Sequence, residues 1–128
     1  MARLPKNKEL VWKKAKVIEN KDPNMWRIDP CGAYINWREF NKKTKYAWNV
    51  DHILPKAKGG SDHIFNLCAM HWKNNQNKAD DFPKFRTAIS FNGIDNVECI
   101  EEKEWDASVL DKLRQVYVRY KVLDVQPK

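Results

Sequence analysis

The stretch NVDHILPKAKGGSDHIFNLCAMHWKNNQNKAD, residues 49–80, decides the fold of this chain. It holds all three histidines of the protein, His52, His63 and His71, together with an Asp-His pair and a Gly-Gly loop. Alternating apolar residues before His52 predict a strand, and Pro, Gly-Gly and Ser-Asp predict a loop after it. IFNLC predicts a second short strand, and residues 70–80 have a helical composition without Gly or Pro. The predicted order is strand, loop, strand and helix.

The residues before this stretch predict a helix and a hairpin. Leu10, Val11 and Val17 lie at helical spacing, so we expect a short N-terminal helix that ends near residues 19–24, where Asp-Pro and Asn are typical of a turn. MWRIDPCGAYINWREF, residues 25–40, has apolar residues interrupted by Pro and Gly. That pattern favours a hairpin over a helix.

The residues after it predict two strands and the clearest helix of the chain. FRTAISF and NVECIEE are strand-like and are joined at Asn-Gly, which tolerates the positive φ of a tight turn. Residues 106–123 have an amphipathic helical pattern, with Asp106 or Ser108 as the N-terminal cap and Tyr120 on the apolar stripe. Together with the central elements, these patterns predict one α+β domain.

The positive charge of the chain is unevenly distributed. The formal net charge is +7, but residues 1–80 hold 16 Lys and Arg against 8 Asp and Glu, whereas residues 81–128 hold 8 against 9. The basic first part favours a polyanionic partner, and nucleic acid before a membrane, because no basic amphipathic helix or long apolar run is evident. At 42% hydrophobic and 12% aromatic residues, the chain is too apolar for a disordered tail.

The cysteines and the N-terminus indicate an intracellular protein. Cys31, Cys68 and Cys99 are an odd number at wide spacings, which is typical of reduced thiols rather than of a disulfide framework. The basic stretch MARLPKNKELVWKKAK lacks the apolar segment of about 7 to 15 residues that a signal peptide contains. We therefore expect a cytoplasmic protein with no membrane anchor.

The ordered motifs of residues 49–80 resemble those of the HNH endonucleases, the ββα-metal nucleases. The matching elements are VDHILPKAKGGSD, the pair Asn66-Leu67, and the run NQNKAD that begins at Asn75. The resemblance implies an α+β fold with a ββα-metal core over residues 46–80, an upstream hairpin, and a supporting strand-strand-helix extension over residues 81–128. Residues 1–128 would then form a single HNH endonuclease domain.

The chemistry of phosphodiester hydrolysis explains why such residues stand together. The reaction needs a base for the attacking water and positive charge near the phosphoryl and leaving oxygens. A histidine, with an unperturbed pKa of about 6.5, suits the first task, and a hard divalent ion suits the second. His52 is the candidate base, and Asp51 faces the same site only if the strand ends there. His71 and Asn75, four residues apart, would share one face of a helix.

The resemblance assigns a role to each position. Asp51 is similar to the acidic metal ligand of the family, and His52 to its general base. Asn66 is similar to the residue that orients the base and pins the loop, and Asn75 to the final metal ligand. His71 matches a metal ligand in the nuclease colicins but a zinc cysteine in the four-cysteine branch, and a core or supporting histidine is equally ordinary here.

The four-cysteine branch would place its structural zinc ligands at positions 28, 31, 71 and 74. Here those positions hold Ile28, Cys31, His71 and Asn74, so only two zinc ligands remain of the four that such a site needs. We therefore expect no structural zinc, and a fold held by packing of tryptophans instead. At the active site we expect one divalent cation, with Mg²⁺ ahead of Mn²⁺, Ni²⁺ or Zn²⁺.

The sequence thus predicts a metal-dependent HNH endonuclease that hydrolyses DNA, and the family pattern implies a 5′-phosphate and a 3′-hydroxyl at the cut. The alternative is an HNH-fold module that binds DNA without cutting it. The sequence leaves open the oligomeric state, including a homodimer, and a role in homing, phage packaging, restriction or defence. Four basic residues are candidates for backbone contacts with double-stranded DNA: Arg38, Lys56, Lys58 and Lys78.

Overall fold

The computed structural model describes residues 4–117, which form three α-helices and nine short strands. This mixture confirms the predicted α+β class. No helix within these residues is long and apolar enough to cross a membrane. The helices are α1 (Leu4–Lys14), α2 (Trp72–Lys78) and α3 (Ala107–Tyr117). The strands are β1 (Lys16–Val17), β2 (Trp26–Ile28), β3 (Tyr34–Asn36), β4 (Trp48–His52), β5 (Leu67–His71), β6 (Lys84–Arg86), β7 (Ile89–Phe91), β8 (Asn96–Glu98) and β9 (Glu102–Glu104).

The N-terminal part is a helix followed by a three-stranded antiparallel sheet. The predicted hairpin is present as β2 and β3, in which Arg27 lies opposite Ile35. The predicted helix ends earlier than expected, at Lys14, because Lys16 and Val17 pair with β2 as the edge strand β1. Val17 is consequently exposed rather than part of a helical apolar face.

The central part has the predicted order of strand, loop, strand and helix. β4 and β5 pair antiparallel over five residue pairs, from Trp48 opposite His71 to His52 opposite Leu67, and α2 follows β5 directly. The second strand begins later than predicted, because residues 64–66 form a 3₁₀ turn that buries the side chain of Asn66.

The C-terminal part is a split hairpin capped by a helix. Each predicted strand divides in two, so that β7 pairs with β8 around Asn-Gly while β6 pairs with β9 outside them. Asp106 caps α3 by accepting hydrogen bonds from the Val109 backbone N–H at 3.0 Å and the Ser108 hydroxyl at 2.8 Å. The predicted continuation of this helix to residue 123, with Tyr120, lies outside the described residues.

The β4–β5 hairpin lies between two apolar clusters, one on each face. Trp48 and Val50 point to the first cluster, in which the ring centroid of Trp48 lies 5.0 Å from that of Trp12. The second cluster contains Cys68 and Met70 and joins the hairpin to β6 and α3. Because residues opposite each other in a hairpin share a face, the strand residues that pair with Cys68 and Met70 point toward this second side.

Candidate active site

Asp51 lies opposite Cys68, on the face of the β4–β5 hairpin that points to the second apolar cluster, and is buried. Its partner is Lys78 from the last turn of α2, whose Nζ lies 3.2 Å from Oδ2 of Asp51 and donates a hydrogen bond to the carbonyl oxygen of His52 at 2.8 Å. The Asp51 contact is an ion pair rather than an aligned hydrogen bond, because Oδ2 has no hydrogen-bond partner among the described residues. Burial raises the pKa of Asp51, and the charge of Lys78 opposes that rise.

Lys78 has none of its surface exposed. A side chain without exposed surface does not reach a phosphate, so the predicted DNA contact of Lys78 is wrong. Its ammonium group lies at the buried end of β4, beside the carboxylate of Asp51. Lys78 therefore belongs to the interior of the site.

His52 is the last residue of β4, and its side chain is held by a carboxylate from the loop. Its Nε2 lies 2.7 Å from Oδ1 of Asp62, and the Nζ of Lys56 lies 3.5 Å from the same oxygen. An ionised carboxylate only accepts, so Nε2 carries the hydrogen and the lone pair remains on Nδ1. The side chain keeps 20% of its surface exposed, which leaves the ring accessible to water.

Asp62 was not among the residues predicted for the site. A Ser-Asp pair after Gly-Gly is ordinary turn chemistry, and only the folded loop brings Asp62 back to the end of β4. The one signal in the sequence was the presence of an acid ten residues after the candidate base, which becomes informative once the loop is known to return on itself.

Asn66 is fully buried and pins this loop. Its Oδ1 accepts from the backbone N–H of Leu54 at 2.7 Å, while its Nδ2 donates to the carbonyl oxygens of Leu54 at 3.1 Å and Ser61 at 2.8 Å. The backbone of Gly60 packs so closely against that of Leu54 that only glycine fits, because a Cβ at position 60 would lie 1.7 Å from the carbonyl oxygen of Leu54. Gly59 is required by its φ of 97°. The Gly-Gly pair and Asn66 thus shape the loop that carries Asp62.

Asn75 and Asn74 are neighbours on α2 with different surroundings. Asn74 is fully buried and bonds to Asp29 and to the backbone of residues 88 and 89. Asn75 is half-buried, and its Nδ2 donates to Oδ1 of Asn49 at 3.0 Å. Asn49 precedes Asp51 by two residues, so both point to the same face of β4. Asn75 therefore contacts the face of β4 that carries both Asn49 and Asp51.

His71 is buried at the junction of β5 and α2, where both of its ring nitrogens have partners. Nε2 donates to the carbonyl oxygen of Lys45 at 2.7 Å, and Nδ1 accepts from the backbone N–H of Lys73 at 3.1 Å as the cap of α2. Burial lowers the pKa of His71, in keeping with this neutral form. The predicted metal role of His71 is corrected by these contacts, because neither nitrogen is left to bind an ion.

Asp29 stands among the positions where the four-cysteine branch holds zinc. Its carboxylate is buried and accepts four hydrogen bonds, from the backbone N–H groups of Cys31, Ala33 and His71 and from Nδ2 of Asn74, at 2.8 to 3.0 Å. This network ties the β2–β3 hairpin to the start of α2. Among residues 4–117, no three His, Cys, Asp or Glu side chains are grouped as a metal site.

The donors near Asp51 nevertheless suit a hard divalent cation. Asp51 offers a carboxylate oxygen without a hydrogen bond, and Asn75 and Asn49 offer amide oxygens on the same face. Oxygen donors of this kind are those that Mg²⁺ and Mn²⁺ prefer. The remaining predicted DNA contacts, Arg38, Lys56 and Lys58, are all exposed.

A comparison with protein-family models gives a match over the central part of the chain. Residues 31–84 match the model of the HNH endonuclease family, a range that begins in the β2–β3 hairpin region and ends at the first residue of β6. No curated protein and no solved structure matches the chain.

Proposed function

Because residues 31–84 belong to the HNH endonuclease family, we propose that this protein is a metal-dependent endonuclease that hydrolyses phosphodiester bonds in DNA. The observation that carries the proposal is the pairing of His52 with Asp62 at 2.7 Å, directly after the buried Asp51. A histidine oriented by a carboxylate and open to water is the arrangement of a general base.

His52 is the base in this proposal. Its Nδ1 takes a proton from a water molecule, whose oxygen attacks the phosphorus atom as the bond from phosphorus to the leaving 3′ oxygen breaks. The leaving oxygen takes up a proton from solvent, so the products are a 5′-phosphate and a 3′-hydroxyl. Asp62 holds the ring through Nε2 and stabilises the imidazolium that forms.

Asp51 and Asn75 would hold the divalent cation, and Mg²⁺ is the ion we favour because these donors are hard oxygens. When bound, such an ion neutralises charge on the phosphoryl oxygens and on the leaving oxygen. Lys78 opposes the rise in the pKa of Asp51 that burial causes, and it fixes the end of β4 through the His52 carbonyl. Asn66 and Gly60 keep the loop in the shape that places Asp62.

DNA is the proposed substrate because of the charge of the first 80 residues. These hold 16 Lys and Arg against 8 Asp and Glu. Arg38, Lys56 and Lys58 are exposed and would contact the backbone, which positions a duplex without reading its sequence.

The test is incubation of supercoiled plasmid with the purified protein in Mg²⁺, Mn²⁺ or Ni²⁺, against EDTA. We expect metal-dependent conversion to nicked or linear plasmid, reduced by about 100-fold or more in His52→Ala. His63→Ala is the matched control, because this exposed histidine lies in the same loop and only caps a turn through the Phe65 N–H. No conversion with any metal, despite retained DNA binding, would overturn the proposal in favour of a binding module.

A further inference from the structure

A polar cavity opens beside Asn75. It has a volume of about 320 Å³ and is lined by residues of the β3–β4 connection, β4 and α2. Two lysines and four amide side chains face it, and no Asp or Glu lines it in the described part of the chain. The lining residues that carry this chemistry are Asn41, Lys42, Lys43, Asn49, Asn75 and Gln76.

The segment that carries the two lysines is fixed to α2. The indole Nε1 of Trp72 donates to the carbonyl oxygen of Thr44 at 2.7 Å, and Nε2 of His71 donates to that of Lys45 at 2.7 Å. The backbone N–H of Trp72 donates to the carbonyl oxygen of Ala47 at 3.1 Å. These bonds hold residues 44–47 against the start of α2, so the lysines just before them stay near the cavity.

The two lysines have their charge available for a ligand. Lys42 and Lys43 are exposed. Glu39, the acid of this segment, accepts a hydrogen bond from the Thr44 hydroxyl and is not among the residues that line the cavity. A concave surface with two cations, several amide donors and no acid is complementary to a phosphate group.

We propose that this cavity binds a phosphate of the DNA backbone that flanks the phosphate being cut, with Lys42 and Lys43 as its cationic contacts. The inference rests on the proposed function, since Asn49 and Asn75 are shared between the cavity and the site beside Asp51. In this proposal His71 and Trp72 are positioning residues, because their hydrogen bonds hold the segment next to the two lysines.

The experiment measures binding without cutting. Fluorescence anisotropy with a labelled DNA duplex in EDTA gives the affinity of wild-type protein and of Lys42→Ala/Lys43→Ala over a series of salt concentrations. Each phosphate contact contributes about 0.9 to the slope of log affinity against log salt, so loss of one or two contacts lowers the slope by about 0.9 to about 1.8. Lys103→Ala/Lys112→Ala is the control, because it removes the same charge from exposed residues of a different cavity.

The inference stands if the Lys42/Lys43 variant lowers the slope and the control does not. An equal change in both variants, no change in either, or no DNA binding by the wild-type protein overturns it. Cleavage of plasmid is scored separately. A protein that cuts DNA but shows no change in slope refutes the phosphate site alone, whereas a change in slope without cleavage by any metal refutes the proposed hydrolysis alone.

Discussion

Asp29 and Asp51 are two buried carboxylates that contact the same face of α2, through Asn74 and Lys78 respectively, and they differ in how they are satisfied. Asp29 accepts four hydrogen bonds from N–H groups of three different segments. Asp51 faces one ammonium group, and its Oδ2 has no hydrogen-bond partner among the described residues. Both side chains are less than one-tenth exposed, so burial alone does not distinguish them.

The difference distinguishes a carboxylate whose acceptor sites are filled from one with an oxygen that has no hydrogen-bond partner among the described residues. A buried carboxylate with all its acceptor sites filled stabilises the fold and has nothing left to bind. A buried carboxylate with an unfilled oxygen costs stability, and such a cost is typical of a site that awaits a ligand. Asp29 therefore has a structural role, because N–H groups fill its acceptor sites, and Asp51 is the ligand proposed for a catalytic metal.

The largest effect is expected from Asp29→Ala. Four N–H donors lose their acceptor, and at about 1–3 kcal/mol for each buried unsatisfied group the free energy of unfolding should fall by about 5 kcal/mol or more. Urea denaturation followed by tryptophan fluorescence measures this. Asp22→Ala is the control, since Asp22 is exposed and its carboxylate accepts a hydrogen bond from the Asn24 N–H in its own turn. A similar small loss in both variants would contradict the structural role of Asp29.

The next largest effect is expected from Lys78→Met. This change leaves Asp51 as an unpaired buried charge and should lower the free energy of unfolding by about 3–5 kcal/mol at pH 7. Adding Asp51→Asn removes that charge and should recover most of the loss, while both variants fail to cut plasmid. Urea denaturation of the single and double variants tests this, and a double variant less stable than Lys78→Met would contradict the ion pair.

The same variants have an expected pH dependence. Burial raises the pKa of Asp51 and Lys78 opposes the rise, so without Lys78 the folded pKa lies still further above the unfolded value. A raised carboxyl pKa penalises folding above that pKa and not below the unfolded value. The stability gap between Lys78→Met and wild type should therefore narrow as the pH is lowered.

Much of this comparison was visible in the sequence, and part of it was not. The order of strand, loop, strand and helix followed from alternation, turn residues and helical composition. The choice of Asn75 over Asn74 as a metal ligand, made from the spacing of the motif, stays a prediction. That Ile28 and Asn74 are not zinc ligands was also readable from the sequence, and the expectation of no structural zinc stays a prediction. Each of these signals is local, so no knowledge of tertiary contacts was needed.

The residues that were missed act over long separations. Asp29 bonds to His71 and Asn74, which lie more than 40 positions away, and no local pattern marks such a partner. Lys78 looked like a surface lysine because composition does not show which helical lysine turns inward. Asp62 was hidden because its role depends on the return of the loop to the end of β4.

A smaller effect is expected from Asp62→Ala. Loss of the bond to Nε2 lets the His52 ring take other orientations, and misplacement of a catalytic group by about 1 Å costs up to about 100-fold, so a fall of about 10- to 100-fold in cleavage rate is expected. Plasmid cleavage under single-turnover conditions measures the rate. Asp62→Glu should restore part of it, and His63→Ala, which changes an exposed side chain of the same loop, should change it little. An unchanged rate in Asp62→Ala would mean that the contact does not orient the base.

The smallest effect is expected from His71, which belongs to the Asp29 network through its backbone N–H. Burial lowers the pKa of His71 in the folded protein, so the unfolded chain binds a proton first as the pH falls below about 6.5. The contribution of neutral His71 to the free energy of unfolding is fully present above that pH. It is lost as the pH falls through the folded pKa, at no more than about 1.4 kcal/mol per pH unit. Urea denaturation at pH 7.5 and pH 5.5 measures the loss.

His71→Asn is the control for that titration, because an amide can still cap α2 but does not take up a proton in this range. The variant should be less stable at pH 7.5, since the bond to the Lys45 carbonyl is weakened, yet it should lose less stability than wild type on acidification. Equal losses in the two proteins would mean that the pH dependence does not arise from His71. In that case the contacts of His71 would stabilise the fold equally at both pH values. Only Asp29→Ala would then test the structural role of the Asp29 network.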